Sequence, residues 1–281
     1  MRLRGTRSSG NIVDRRGRGG GGRVALGGLG GFGLLAVLAI GYFTGIDVTP
    51  LIVGSEPTQS SRPYEPTEAE QQAAEFVSRV LATTEDVWDT EFPRQLNAEY
   101  VPPQLVLFTD VTQSPCGGAS GATGPFYCPA DSRAYLDLSF FSTLENRLGA
   151  GGDFAAAYVI AHEVAHHVQN QMGILGQVDQ ARRQSSQTQA NALTVRLELQ
   201  ADCLSGVWAS NVEGLMERGD LQEAINAARQ IGDDKLQRDA GRVPQPHTFT
   251  HGTSEQRARW FQRGFDSGNI GDCDTFNTNR L

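Results

Sequence analysis

The sequence predicts an α+β domain, mostly helical with a small β-sheet, preceded by one transmembrane helix. Three observations carry this. Phe154–Met172 and Ser186–Asn211 read as long helices. Gln104–Thr109 and Ala134–Phe141 alternate with period two, as half-buried strands do. Val24–Ile46 contains no charged residue and, as a helix, would span about 35 Å, enough for a bilayer core.

Each element follows from local chemistry. Residues 1–23 hold seven Arg against one Asp, leaving −14 on the remainder of a chain whose formal net charge is −8. Rich in Arg, Gly and Ser and nearly free of apolar residues, 1–23 are expected to form a disordered, basic, cytoplasmic tail. The acidic remainder argues against nucleic acid as a partner. Arginine before residues 24–46 and Asp47 after them place the N-terminus in the cytoplasm by the positive-inside rule. A cleaved signal peptide is the alternative. The run is too long for a typical h-region and lacks a clear cleavage site, which favours an uncleaved anchor. The expected location is thus the cell membrane, single-pass, with the domain extracytoplasmic. Residues 47–66, with four prolines, read as a linker, and 67–281 as one domain. Thr67 and Glu70 form a capping box that opens a helix to about Ala82. Gly173–Gln189 reads as a polar, mobile connection, and Asp220–Ile231 as a scaffold helix. Four cysteines outside the membrane suggest two disulfides. Three pairings are possible. The preferred one joins Cys116 to Cys128, closing a short loop, and Cys203 to Cys273, tying down the C-terminal tail.

The chemistry concentrates in Ala161–Val168, AHEVAHHV. His162 and His166 are four apart and share a helix face, so both imidazoles can reach one zinc ion. Glu163 can take a proton from a water on that ion. His167 lies about 100° around the helix and is a bystander. A catalytic zinc needs a third protein ligand. Glu198, in LELQADC, is the best candidate, and Asp202, one turn on, can orient a ligating imidazole.

H-E-x-x-H followed by a helix bearing E-x-x-x-D resembles the gluzincin peptidases. The longer stretches Cys116–Phe141, Ala157–Gln169, Arg196–Ala209 and Phe249–Phe261 resemble a bacterial family of membrane-anchored neutral zinc metallopeptidases. The resemblance implies a zincin-like domain holding one Zn²⁺ per chain through His162, His166 and Glu198. Glu163 would be the general base, and a protein or peptide the substrate. It also implies a sheet above the active-site helix, whose edge strand pairs with the substrate, with Tyr135–Phe140 as the candidate. THGTSEQR, from Thr250, resembles a T-H-P…R segment of heat-shock-type membrane zinc peptidases, with Gly252 where those have Pro. By that resemblance His251 would steady the oxyanion, while His247 is a loop residue. The implied activity is that of a membrane-anchored zinc-dependent endopeptidase. The alternatives are a catalytically silent zincin-scaffold binding or regulatory protein at the membrane, and a zinc amidase. Oligomeric state is open.

Overall fold

The computed structural model describes residues 1–17, 64–120, 124–212 and 214–281. Among these no helix is long and apolar enough to cross a membrane. The candidate span Val24–Ile46 lies outside the described residues, as does most of the 47–66 linker.

The sheet is built from β1 (Ile12–Asp14), β2 (Gln104–Phe108), β5 (Phe126–Cys128) and β6 (Arg133–Asp137), in the order β1-β2-β6-β5. β1, β2 and β6 run parallel, and β5 is antiparallel at the edge. β3 (Val111–Ser114) and β4 (Gly117–Ser120) form a separate antiparallel pair. Leu105, Val106, Leu107 and Phe108 are all buried, as a strand covered on both faces requires.

Two expectations change here. Tyr135–Phe140 is not an edge strand: β6 is flanked by β2 and β5. Alternation alone cannot tell an inner strand from an edge one. The strand also ends at Asp137, whose carboxylate accepts from the backbone N–H groups of Asp110 and Ser139. That turn starts helix α2 (Ser139–Asn146) where the pattern of AYLDLSFF suggested more strand.

The basic tail is corrected over residues 1–17. β1 hydrogen-bonds in register with Leu105–Leu107, and Met1 and Leu3 are buried in the main core. Arg7 pairs with Glu85 and Asp86, and Arg16 with Asp14. Composition pointed to disorder because the partners of Arg7 and the pairing strand β2 lie far along the chain.

Helix α1 (Glu68–Glu91) opens with the expected Thr67–Glu70 capping box and continues past Ala82, because Val87 and Trp88 prolong its buried stripe. The remaining helices are α3 (Asp153–Gln171), α4 (Ile174–Arg183), α5 (Gln187–Asn211), α6 (Asp220–Gln230), α7 (Asp233–Asp239) and α8 (Ser254–Ser267). α4 occupies the connection expected to be mobile. Gly173, at φ 75°, turns the chain between α3 and α4. α3 is the central helix and packs on β5, β6, α1, α5 and α6. Phe154 stacks on Trp208 of α5, and Phe261 of α8 meets Tyr158 edge-on at 5.3 Å.

α5 and α8 cross with backbones in near contact. A Cβ on Gly264 would lie 1.8 Å from the Cys203 carbonyl oxygen, and one on Gly206 would lie 2.1 Å from that of Phe261. Disulfides join Cys116 to Cys128 and Cys203 to Cys273, the preferred pairing. The second clamps the C-terminal turn to α5.

This crossing generates a prediction. Gly264→Ala forces α5 and α8 apart, and urea unfolding should show a loss of about 1–3 kcal/mol. An unchanged midpoint would mean the crossing adapts freely.

Candidate metal centre

α3 and α5 supply the centre. α3 begins after Gly152 at φ 117°, with Asp153 in its first turn rather than at the cap, and ends at Met172 with Gly173 following. α5 is started by a capping box between Ser186 and Gln189. The two helices pack side by side, and their facing residues converge. One ligand atom from each of His162, His166 and Glu198 lies within 4.8 Å of the others. His162 Nε2 is 3.1 Å from Glu198 Oε2, and His166 Nε2 is 3.6 Å from the same oxygen. Two imidazoles and a carboxylate, with Nε2 atoms facing one oxygen, form a donor set suited to a divalent metal such as zinc. These three fit the metal, and the same face leaves room for no thiolate, since all four cysteines are in disulfides.

Each histidine is held from behind. His162 Nδ1 lies 3.0 Å from Asp202 Oδ1, close but off-line for an ideal hydrogen bond. Asp202 is fully buried. It takes a two-point contact from Arg257, through Nε at 2.8 Å and Nη2 at 2.9 Å, and a hydrogen bond from the Tyr158 hydroxyl at 2.5 Å. His166 Nδ1 lies 2.9 Å from Gln169 Oε1, whose amide donates to the Leu197 carbonyl and to Gln200. Both histidines therefore turn Nε2 toward Glu198.

The electrostatics agree with this wiring. Burial would raise the Glu198 carboxyl, but the charge of His166 and hydrogen bonds from His162 and His166 hold it well below the usual range. Asp202 is likewise lowered: burial opposes it, and Arg257 and His162 prevail. Burial pulls His162 down, yet the Asp202 and Glu198 carboxylates beside it outweigh this and push it to about 9. Glu163 is half-buried and makes no hydrogen bond within the described residues. Burial pushes its carboxyl up against the opposing charges of His166 and His162.

His251 sits in the loop before α8. Asp233, 2% exposed, organises that loop. Its Oδ2 accepts from the backbone N–H groups of Thr250 (2.7 Å), His251 (2.6 Å) and Gly252 (3.0 Å), while Oδ1 lies 3.3 Å from His251 Nδ1. Gly252 has φ +91° and donates its N–H, neither of which a proline could do. The departure from T-H-P thus changes the turn itself. Burial lowers His251, but the Asp233 hydrogen bond and charge raise it above its ordinary value, and His251 and Glu198 feel each other's charge. Because the pKa is raised on folding, this pair's stabilisation is full below the ordinary value of 6.5 and fades as pH rises through the raised one.

The remaining histidines do not join the centre. His247 lies in a 3₁₀ turn, Pro246–Thr248. His167 is buried on the far side of α3, near Tyr127 OH (2.9 Å) and the Val101 carbonyl oxygen (2.7 Å). Sequence reasoning missed Gln169 and Tyr158 altogether and Asp233 as the partner of His251. For Tyr158 a signal existed: it lies four residues before His162 on the same helix face.

Buried metal-ligand geometry of this kind defines a class, the helix-borne His-His-Glu metalloproteins. The chain belongs to the family described as "Putative neutral zinc metallopeptidase", which matches residues 1–276. That family implies zinc and, at a coarse level, a hydrolase. The chain is 47% identical over 287 residues to "Uncharacterized protein YpfJ" of Escherichia coli (strain K12), covering 98% of this chain and 99% of the relative. It is 40% identical over 214 residues to "Uncharacterized protein Rv2575" of Mycobacterium tuberculosis (strain ATCC 25618 / H37Rv), covering 70% of each. No solved structure matches it.

A prediction follows from Asp202. Asp202→Asn leaves Arg257 buried without its carboxylate and His162 facing a neutral amide in place of a charged carboxylate. Unfolding free energy should fall by about 3–5 kcal/mol, and zinc affinity by about 10–100-fold. Native-like values for both by denaturation and metal titration would remove Asp202 from the design of the site.

Proposed function

We propose that the protein is a membrane-anchored zinc endopeptidase acting on an extracytoplasmic protein or peptide. The observation that carries this reading is the convergence of His162, His166 and Glu198 beside Glu163, which makes no hydrogen bond among the described residues, in a chain of the metallopeptidase family. His162, His166 and Glu198 would hold one Zn²⁺. When bound, zinc acidifies a water molecule and polarises the scissile carbonyl.

The chain's own residues do the rest. Glu163 accepts the proton of the attacking water and passes it to the departing amine. Its half-buried position, which raises its pKa above the ordinary carboxylate value, strengthens it as a base. Asp202 faces Nδ1 of His162 and Gln169 faces Nδ1 of His166, which sets the orientation of each ring. His251, whose protonated form Asp233 favours, would donate to the oxyanion as the carbonyl becomes tetrahedral.

The sheet supports a zincin-like arrangement. Its antiparallel edge strand, β5, packs against α3, and its outer side has no strand partner among the described residues. An extended substrate would pair there, in place of the Tyr135–Phe140 strand first expected. The two disulfides favour an oxidising, extracytoplasmic setting for the domain. Val24–Ile46 would provide the anchor.

Glu163→Gln tests the reading directly. Zinc content should stay near one per chain, while cleavage of casein or a peptide library falls by about 10²–10⁴-fold. Zinc in both forms with cleavage in neither would favour the silent-scaffold alternative. Release of amines from small amides but not from proteins would favour an amidase.

The His251–Asp233 pair gives a second test. Activity should decline on the alkaline side as His251 loses its proton. Asp233→Asn removes the partner that raises His251, so that limb of the kcat/KM profile should move to lower pH. An unmoved limb would assign the alkaline decline to another group.

A further inference from the structure

Glu85 lies on α1 with only 4% of its surface exposed. Its hydrogen-bond donors come from the first residues of the chain: Arg7 Nη1 at 2.8 Å, Asn11 Nδ2 at 2.9 Å and the Ser9 hydroxyl. The same segment is tied down along its length. Arg79 on α1 donates to the carbonyls of Leu3 and Thr6. Arg16 donates to the carbonyl of Glu70. β1 covers one edge of β2, and the ladder is extended by Leu105 N–H to Asn11 and Arg15 N–H to Leu107. Residues 1–17 are thus a structural part of the domain. Without them a buried carboxylate loses its donors and β2 becomes an edge.

Gly17 and Tyr64 touch. A Cβ built on Gly17 would fall 2.0 Å from that of Tyr64. The chain therefore leaves the domain and rejoins it at one point on its surface. Between these residues lies Val24–Ile46, the uncharged stretch read above as the membrane anchor. A single crossing would put Gly17 and Tyr64 on opposite sides of about 30 Å of hydrocarbon. The folded domain cannot accommodate that separation.

We propose that residues 1–17 lie on the same side of the membrane as the domain from Tyr64 onward. This rests on the membrane attachment of the preceding reading, and it replaces the cytoplasmic N-terminus expected from the arginine count. That count overstated the free charge. Arg2 pairs with Glu217 and Arg7 with Glu85 and Asp86, carboxylates that lie outside the segment. The face bearing Gly17 and Tyr64 is then the one turned toward the bilayer.

The test uses the full-length chain in sealed membrane vesicles of both orientations. Ser8→Cys reports the N-terminal segment and Val243→Cys the domain; Ser8 is exposed and Val243 is 81% exposed. The four native cysteines are in disulfides and leave the label to the introduced thiol. A membrane-impermeant maleimide should label both variants in the same vesicle orientation and neither in the other, with zinc content as in the wild type. Labelling of Ser8→Cys only in the orientation that protects Val243→Cys overturns the proposal. An alkaline carbonate wash separates the two levels of failure. Release of the chain by that wash overturns membrane attachment itself, and the proposal with it.

Discussion

Asp202 carries a charge that water cannot reach, and three groups from two neighbouring helices converge on it. Arg257 grips it from α8, Tyr158 hydrogen-bonds to it from α3, and His162 faces it one turn further along. A buried carboxylate with a single partner would be costly. With a guanidinium and a phenol around it, the charge persists and its geometry is fixed. The constraint propagates outward. Fixing Asp202 orients His162, whose Nε2 then points at Glu198 from the same helix that carries Asp202. The close crossing of α5 and α8 at Gly206 and Gly264 is what lets Arg257 reach so deep.

His166 and His251 repeat the pattern with different chemistry. A buried amide network through Gln169 and Gln200 turns His166, and it ends at the Cys273 carbonyl beside the disulfide to Cys203. Asp233 gathers three successive backbone N–H groups and thereby sets the loop that presents His251. In all three cases a polar group behind Nδ1 faces the imidazole and sets how the ring is turned. That arrangement is what a metal-assisted hydrolase needs: donors toward the metal and the reacting carbonyl, and rigid acceptors behind.

Much of the centre was legible in the sequence because its residues are linked by helical spacing. His162 and His166, and then Glu198 and Asp202, each lie one turn apart, and four residues on two helices suffice to define a site. Contacts between elements were not legible. Asp233 with His251 joins residues whose spacing carries no signal. The N-terminal segment was misread for the same reason. Arg7 and Arg16 look like free charge until Glu85 and the Glu70 carbonyl are placed beside them. The error at Ser139 was local: alternation continued, but the Asp137 carboxylate captured the Ser139 N–H and turned the chain into α2.

The account stands on one claim, that His162, His166 and Glu198 bind a single zinc ion. X-ray absorption at the zinc edge of the loaded protein tests it most directly. The predicted spectrum shows two imidazoles with nitrogen or oxygen neighbours at about 2.0–2.1 Å and no sulfur. A sulfur shell, or scattering from fewer than two imidazoles, would contradict it.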